Sequence, residues 1–298
     1  MQELLQHIIN GIGLGSIYAL IALGYTMVYG VLNLINFAHS DVYMMGAFAA
    51  YYTQRFLNLK PGLMSFLIII LAAMMFCSIL ALTIERFAYR PLRKAPKLNI
   101  LITAIGVSLF LEFSGQLIFG ADPKLFPSVI EDVGLFSIIG VRFRTIDLAI
   151  LAVGFLSMIV LRYIIVYTKT GRAMRAVSEN TKVAGLMGIP VNRIIAITFV
   201  IGSSLAGIGS VLVGLKYPKI EPLMGMLIGL KAFVAAVLGG IGSIPGAVLG
   251  GIIMGLSEEM VVGYLSSTYR DALSFGILII ILVVRPAGLL GKSSVDKV

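Results

Sequence analysis

Long apolar stretches, separated by short polar segments, follow one another along the whole chain. A membrane core of about 30 Å requires about 20 apolar residues in a helix, and the sequence contains a series of such windows. The predicted spans cover residues 8–31, 38–56, 63–85, 98–119, 145–167, 194–216, 226–240, 246–264 and 271–286. The second and seventh are short or interrupted by glycine, so eight full spans with one broken segment fit as well as nine. We expect an all-α, polytopic membrane protein with eight to nine transmembrane segments.

The composition agrees with this class. Hydrophobic residues make up 59% of the 298 residues and charged residues 12%, with a mean hydropathy of +1.01. Soluble domains have roughly 45–50% apolar and about 25% charged residues. The apolar windows leave no stretch of about 100 residues for a separate soluble domain, so residues 1–298 are expected to form one transmembrane domain. The first ten residues lack Lys and Arg, unlike a cleaved signal peptide, so the first span is expected to remain in the mature protein.

Lysine and arginine are concentrated in three polar segments. Residues 85–97 and residues 168–193 each contain five basic residues and one acid, and the C-terminal tail adds three basic residues, whereas residues 120–147 carry a net charge of −1. Short loops rich in Lys and Arg stay on the cytoplasmic side of a membrane. The pattern therefore predicts an N-terminus outside and a C-terminus in the cytoplasm. This topology accounts for the net charge of +9, so the lipid bilayer is an expected partner and nucleic acid is not.

The sequence indicates no catalytic residues and no metal site. His7 and His39 lie far apart, Cys77 is the single cysteine, and no Gly-x-Ser-x-Gly elbow occurs. The stretch PAGLLGKSS, residues 286–294, nearly matches a phosphate-binding loop. However, Pro286 replaces its first glycine, and only five residues follow Ser293, too few for the helix that would hold the phosphates. We expect a non-catalytic chain that binds no cofactor itself.

The polar segment 168–193 has the periodicity of an amphipathic helix. Charged residues at spacings of three and four share one helical face: Arg172, Arg175, Glu179 and Lys182. Apolar residues fall near the opposite face: Ala173, Val177, Ala184 and Met187. The pattern predicts one short cytoplasmic helix that ends near Gly188 and Pro190. Periodicity leaves two roles open, a solvated helix on the membrane surface and a helix docked in a groove of a partner protein.

Three stretches of the chain resemble one family of membrane proteins. They are GVLNLINFAHSDVYMMGAF (30–48), TGRAMRAVSENTKVAGLMGI (170–189), and FVAAVLGGIGSIPGAVLGG (233–251) followed by VRPAGLLG. Together they are similar to the permease subunits of the branched-chain amino-acid ABC importers, and the short length resembles the smaller of the two permeases. One departure concerns the Glu-Ala-Ala-x-x-x-Gly signature that ABC-importer permeases in general carry at the ATPase contact. Only Ala184 and Gly188 of that signature are present here.

The resemblance implies a subunit that imports branched-chain or related apolar amino acids across the cell inner membrane. It also implies three kinds of partner: a second related permease that completes the pore, two cytoplasmic ATPases that bind the ATP, and a periplasmic substrate-binding protein. Contacts with the ATPase are expected from the loop at 168–193, through Arg172, Ala173, Arg175, Glu179, Asn180, Ala184 and Gly188.

The resemblance also gives a reason for polar and glycine-rich interruptions within the spans. An amino-acid zwitterion cannot cross hydrocarbon without polar partners. The expected lining of the pathway is Asn33, Asn36, His39, Lys231, Gly239, Gly240 and Gly242. Alternative roles remain open, because the asparagines suit helix caps at the interface and the glycines suit helix packing. Two roles are open for Glu258 and Glu259: ionisable groups in or near a span are functional candidates, and groups near a helix end can simply reach water.

Two other functions remain open from the sequence. A permease for urea or short amides would have a similar sequence, since a separate binding protein largely sets the choice of substrate. An ion-coupled secondary transporter working alone belongs to another class. Such a protein usually has a denser set of intramembrane acids than Asp41, Glu112 and Glu258 provide.

Overall fold

The chain is described by a computed structural model over residues 2–32, 34–93, 95–131, 136–138 and 141–291, with backbone only for residues 97, 136–138 and 141–143. The described residues form eleven α-helices: α1 (Gln2–Leu32), α2 (His39–Leu57), α3 (Leu63–Ile84), α4 (Lys97–Phe119), α5 (Thr145–Tyr167), α6 (Lys169–Glu179), α7 (Thr181–Leu186), α8 (Val191–Lys216), α9 (Met224–Gly239), α10 (Ile244–Tyr264) and α11 (Arg270–Val284). A π-helical turn, Glu85–Tyr89, continues α3, and a 3-10 turn, Ser267–Tyr269, precedes α11. Two antiparallel pairs complete the structure: β1 (Lys124–Leu125) with β4 (Lys219–Ile220), and β2 (Phe136–Ile138) with β3 (Val141–Phe143).

Each of the nine predicted spans falls on a helix. Seven of these helices, including the adjoining short turns, are long and apolar enough to cross a membrane. The other two are α2 and α9, the spans that the sequence marks as short or interrupted. Polar residues His39, Ser40 and Asp41 occupy the first turn of α2, and α9 has only 16 residues. The expectation of a helical protein with many membrane-spanning segments is confirmed at this level.

Contacts between distant residues show which helix ends lie together. The Lys216 ammonium donates a hydrogen bond to the Asn10 carbonyl oxygen at 3.1 Å, and the rings of His7 and Tyr264 lie 5.6 Å apart between centroids. The ends of α8 and α10 therefore lie beside the start of α1, and we call this the N-terminal end of the bundle. The opposite end, which carries α6 and α7, is called the loop end.

Helix α1 is the central element of the bundle. Every residue from Gly13 to Val28 is buried, against α5, α8, α9 and α10. Glycines allow this burial, because a Cβ atom on Gly15 would lie 2.7 Å from the Cα of Ile252, and one on Gly255 would lie 2.2 Å from the Gly15 nitrogen. Small residues spaced four apart let two helix backbones approach closely in a membrane. The backbones of α1 and α10 are therefore in direct contact.

Helix α8 is the second buried helix, and it lies between α1 and α3. Gly202 approaches α1, since a Cβ there would lie 3.3 Å from the Gly24 carbonyl oxygen. Gly207 approaches α3, with a Cβ position 2.8 Å from the Ala73 carbonyl oxygen. Glycines on two faces of α8 thus bring three helices into close contact, and this packing fixes the position of α1 relative to the rest.

We predict that Gly255→Val prevents stable folding, whereas Gly276→Val is tolerated. The new side chain at 255 meets the backbone of α1, so its cost exceeds the ~1–3 kcal/mol typical of overpacking. At Gly276 an added Cβ meets no heavy atom of another described element within 4 Å. The measurement is the monodisperse yield and melting temperature of each variant in detergent. Equal behaviour of the two variants would contradict the close approach of α1 and α10.

Candidate functional site

A cavity opens at the N-terminal end of the bundle between α1, α8, α9 and α11. Its volume is about 350 Å³, within the ~300–1,000 Å³ range of small-molecule sites. The lining combines aliphatic walls with charged and phenolic groups: Leu14, Tyr18, Val213, Tyr217, Lys219, Glu221, Met224, Leu227, Ile228, Lys231, Arg270 and Asp271. Lys231, the charged residue that the sequence selected for the pathway, therefore lies at a cavity surface.

Lys231 is held by two carboxylates from neighbouring helices. Its ammonium lies 2.9 Å from Glu258 Oε1 on α10 and 2.7 Å from Asp271 Oδ1 on α11. Glu258 also accepts hydrogen bonds from the Tyr18 hydroxyl at 3.0 Å and the Ser274 hydroxyl at 2.9 Å. Buried charges are tolerated only when they are paired and hydrogen-bonded. The network meets this condition, and its hydrogen bonds and ion pairs connect α1, α9, α10 and α11.

Of the two roles that the sequence left open for Glu258 and Glu259, access to water at a helix end is not observed. The Glu258 side chain is fully buried and Glu259 is 8% exposed, because α1, α9 and α11 pack around this part of α10. The sequence contained one signal that could have predicted this ion pair: Lys231 and Glu258 have opposite charges and lie in two apolar segments, where a buried charge needs a partner. The contributions of Tyr18 and Asp271 carried no such signal, since their positions depend on how α1 and α11 pack.

Arg270 lies at the edge of the same network without a close ion pair. Its Nε is 3.8 Å from Glu258 Oε2, and its guanidinium carbon lies 5.9 Å from the centroid of the Tyr217 ring. Within the described residues this buried Nε has no hydrogen-bond partner. The distance to Glu258 is too long for a hydrogen bond, so Arg270 is less committed to the network than Lys231.

Below the cavity, aromatic rings fill the middle of the bundle. Phe233 of α9 lies 6.0 Å from Tyr25 and 6.1 Å from Phe37 between ring centroids, and Tyr25 meets His39 edge-on at 4.9 Å. We call these four residues the aromatic barrier. His39 fits against α1 because Gly24 leaves room, since a Cβ there would lie 2.1 Å from His39 Nε2. His39 is thus a buried packing residue at a helix crossing.

A second, small pocket lies beyond the aromatic barrier towards the loop end. Its volume is about 20 Å³, which is room for one water molecule. Asn36 lines it and accepts a hydrogen bond from the Tyr89 hydroxyl at 2.6 Å. Asn33, predicted beside it, lies outside the described residues. The space near Asn36 is therefore much smaller than the cavity at the N-terminal end.

One face of α1 connects the cavity, the barrier and the small pocket. Leu14 and Tyr18 line the cavity, Tyr25 belongs to the barrier, and Val28 and Leu32 line the small pocket. At 3.6 residues per turn these five positions fall within an arc of about 80° on the helix. A single stripe of α1 thus extends along the large cavity, the aromatic barrier and the small pocket.

The glycines predicted for the pathway lie at the loop end of α9. A Cβ on Gly239 would lie 1.9 Å from the Gly246 carbonyl oxygen, and one on Gly240 would lie 2.4 Å from the Gly291 nitrogen. Gly240 and Gly242 also have positive φ angles of 105° and 92°. These contacts assign the first two a role in close backbone packing. Gly242 has only Tyr29 and Gly30 nearby, at 3.8 Å or more, and lining of the pathway by these glycines stays a prediction.

The predicted single helix in the loop at 168–193 is wrong in one respect, because it is broken at Asn180. The Asn180 backbone is extended, with φ −156° and ψ 104°, so α6 ends there and α7 begins. The Asn180 carboxamide accepts hydrogen bonds from the Lys182 and Val183 amides, both at 3.0 Å. Asparagine is a preferred N-cap because its side chain satisfies free amides in the first helical turn. These two side-chain hydrogen bonds offset the backbone hydrogen bonds that are lost where the helix breaks.

Helix α6 buries its apolar face against the rest of the chain. Met174 and Val177 are buried and Ala173 is half-buried, against α1, α5 and α8. Arg175 donates a hydrogen bond to the Ile165 carbonyl oxygen at the end of α5, so this arginine is held within the chain. Arg172 and Glu179 are exposed, and their side chains have no hydrogen bond or ion pair with other described residues. The two arginines therefore differ in their availability to a partner.

Helix α7 exposes apolar side chains at the loop end. Leu186 is 87% exposed and Met187 is 78% exposed, while Ala184 is buried against α8. Gly188, with φ +80°, closes the helix, since its amide bonds to the Gly185 carbonyl and the Ile189 amide bonds to the Ala184 carbonyl, both at 3.1 Å. These bonds form a Schellman motif, which satisfies the last carbonyls of a helix. The motif fixes the exposed apolar surface relative to α8.

The comparisons with known proteins give a consistent result. Residues 7–282 match a family described as the permease component of branched-chain amino acid transport systems. The chain is 44% identical to the high-affinity branched-chain amino acid transport system permease protein LivH of Salmonella typhimurium, over 99% of this chain and 97% of that protein. It is also 44% identical to the corresponding permease protein BraD of Pseudomonas aeruginosa, over 99% and 98% of the two chains. Among solved structures, PsaBC from Streptococcus pneumoniae in complex with Fab aligns over 96% of this chain and 91% of that chain, at 16% identity and a TM-score of 0.46.

We predict that Lys231→Met lowers the stability of the protein and that adding Glu258→Gln restores most of it. Removing one partner of a buried ion pair costs about 3–5 kcal/mol because the other charge is left unpaired. In the double variant neither buried charge remains, and the glutamine carbonyl still accepts from Tyr18. Melting temperatures in detergent measure the effect. A double variant no more stable than Lys231→Met would contradict the assigned pairing.

Proposed function

The chain belongs to the family of permease components of branched-chain amino acid transport systems, and we propose that it is the membrane-spanning subunit of an ATP-driven importer of branched-chain or related apolar amino acids. The observation that carries this proposal is its 44% identity to LivH and BraD over 99% of its length. The seven long apolar helices agree with a multi-pass membrane protein.

We place the loop end of the bundle in the cytoplasm and the N-terminal end outside, across the cell inner membrane. The support is the distribution of charge, since short basic loops stay in the cytoplasm. Arg86, Arg90 and Arg93 lie near the loop end, where Arg93 donates a hydrogen bond to Asn192 at 2.5 Å. Lys94 and the lysines of the C-terminal tail lie outside the described residues. In this orientation the large cavity faces the side from which a binding protein delivers its amino acid.

The translocation route follows the stripe of α1 from the large cavity through the aromatic barrier to the small pocket at Asn36. The cavity of about 350 Å³ has room for a ligand, and the pocket of about 20 Å³ does not. In the proposed orientation the larger of these two spaces faces the outside and the smaller one lies towards the cytoplasm. Lys231, His39 and Asn36 lie along this route in that order, and a second, related permease subunit completes the pore.

ATP is bound by two separate cytoplasmic ATPase subunits. This assignment is supported by the place of the segment that nearly matches a phosphate-binding loop. The Leu289 and Leu290 amides bond to the Leu238 and Gly239 carbonyls at 2.8 and 2.9 Å, so this segment packs on the end of α9. Lys292 and Ser293 lie outside the described residues.

The ATPase docks on the exposed surface of α6 and α7. Leu186 and Met187 supply an apolar contact that a lone chain would leave in water, and large exposed apolar groups mark interaction sites. Arg172 and Glu179 supply charges that the rest of the described chain does not neutralise. Asn180, Ala184 and Gly188 act indirectly, because they set the angle at which α7 presents this surface.

The two alternative functions receive less support from the structure. Urea or a short amide would leave the aliphatic walls of the cavity without a partner. Ion coupling usually uses intramembrane carboxylates that lack a cationic partner; Glu258 is paired with Lys231, whereas Asp41 accepts a hydrogen bond from the Ser108 hydroxyl and has no ion pair with another described residue. These functions are therefore outcomes that the uptake experiments below distinguish.

We predict that Arg172→Glu weakens ATPase binding at least ~20-fold without loss of folding. Truncating one partner of a buried interfacial charge pair costs about 2–5 kcal/mol, and a reversal adds repulsion. The matched control is Arg90→Glu, an exposed arginine on the same side of the membrane outside the loop. ATPase copurification and substrate-stimulated hydrolysis are measured. Wild-type binding by Arg172→Glu, or equal loss in both variants, would contradict docking on this surface.

We predict that ATP alone drives leucine uptake into vesicles that contain the assembled complex. ATP-loaded vesicles should retain uptake after proton and sodium gradients are collapsed, because hydrolysis by the partner subunits supplies the energy. Uptake of radiolabelled leucine and urea is compared with and without ionophores. Abolition of uptake by ionophores would favour the ion-coupled alternative, and uptake of urea in place of leucine would favour the amide permease.

A further inference from the structure

Four charged side chains meet at the inner part of the large cavity, and their charges cancel. Lys231 and Arg270 are cations, and Glu258 and Asp271 are anions. A cavity with one excess charge selects ions of the opposite sign, whereas a balanced arrangement of separated charges complements a ligand that carries both signs. α-Amino acids are such ligands at neutral pH.

We infer that this cavity is itself a binding site for a free α-amino acid, in which Arg270 binds the carboxylate and Asp271 binds the ammonium group. The inference rests on the proposed function and adds a site within the membrane subunit. The aliphatic side chain of the ligand lies against Leu14, Leu227 and Ile228, which line the same cavity.

Arg270 has binding capacity that the protein does not use. A guanidinium presents five N–H donors in a planar fork that matches a carboxylate. The nearest carboxylate oxygen, Glu258 Oε2, lies 3.8 Å from Nε, which is too long for a hydrogen bond. Arg270 lines the cavity with 28% of its side chain exposed, so a ligand carboxylate at the cavity surface can bind the exposed part of this guanidinium.

Asp271 is placed to bind the ammonium group of the same ligand. Its Oδ1 contacts Lys231 at 2.7 Å, and 53% of its side chain is exposed. A carboxylate has two oxygens with about four acceptor positions, so one ion pair leaves capacity for a second cation. Arg270 and Asp271 are consecutive residues at the start of α11. Both residues line the cavity, so a ligand there meets one group of each sign.

Lys231 and Glu258 position the binding groups without needing to touch the ligand. Glu258 is fixed by Tyr18 and Ser274, Glu258 holds Lys231, and Lys231 holds Asp271. The chain of contacts starts on the central helix α1 and ends at the exposed carboxylate. The carboxylate of Asp271 is therefore pre-organised, which lowers the cost of ordering it around a ligand.

The test is photolabelling of the assembled permease–ATPase complex in nanodiscs. The binding protein is left out, so that its own selectivity for amino acids does not affect the result. The probe is a diazirine analogue of leucine, and labelled peptides are located by mass spectrometry. We expect labelling on the peptides that contain Leu14, Leu227 and Ile228, and protection by leucine. Protection by 3-methylbutylamine, which lacks the carboxylate, or by 4-methylpentanoate, which lacks the ammonium, is expected to be at least about tenfold weaker, the loss from one charge-assisted hydrogen bond.

Variants provide the second arm of the test. Arg270→Gln and Asp271→Asn are each expected to lower protection by leucine at least about tenfold, for the same reason. The matched controls, Lys124→Gln and Glu131→Gln, remove one charge of each sign from residues outside the cavity lining and are expected to have no effect. The competition with analogues uses the unchanged protein, so it decides the question even if a variant fails to assemble.

The two proposals fail in different ways. Labelling outside the cavity, or equal protection by leucine and its singly charged analogues, would overturn the amino-acid site even if ATP-driven leucine uptake is intact. Cavity labelling with the expected selectivity, together with a complex that binds no ATPase and takes up no leucine, would instead overturn the proposed function.

Discussion

The arrangement of the bundle depends on the direct contact between the backbones of α1 and α10. Gly15 and Gly255 leave no space for a Cβ atom at this crossing, and Gly24 and Gly202 form a similar contact between α1 and α8. Without a strong hydrophobic force between helices in lipid, such packing supplies much of the stability. Helix α1 is enclosed by its neighbours, and one of its faces lines both the cavity and the small pocket that lie between these helices. Glycine contacts at helix crossings thus create the route that polar residues later line.

The charged network uses the same packing for a different purpose. A lysine and a glutamate in apolar helices are costly when apart, and pairing them on α9 and α10 requires the helices to be in register. The network extends to α1 through Tyr18 and to α11 through Asp271. The charges therefore reach their positions at the cavity only when these four helices pack together. A protein that misplaced any of these helices would leave a charge buried without a partner.

Most of the fold can be predicted from the local sequence. The features that could not be predicted are those that depend on packing between segments far apart in the sequence. All nine apolar windows are helices, and in seven of them about 20 apolar residues suffice to specify a span. The charged face of the loop is also correct, since Arg172 and Glu179 are exposed. Asn180 was expected to continue a helix, yet its carboxamide satisfies the next turn better than helical bonds would. The sequence left open whether Glu258 reaches water near a helix end, because its burial depends on α1, α9 and α11.

The Schellman motif at Gly188 has a mechanical consequence. It joins α7 to α8 through a short, hydrogen-bonded connection, so a displacement of α7 is carried into α8. That helix is about 39 Å long at 1.5 Å per residue, and it meets α1 at Gly202, close to its midpoint. The far end of this helix leads into Tyr217, whose ring faces Arg270 at the cavity. The turn at Gly188 and the wall of the cavity are therefore joined by one continuous, rigid element.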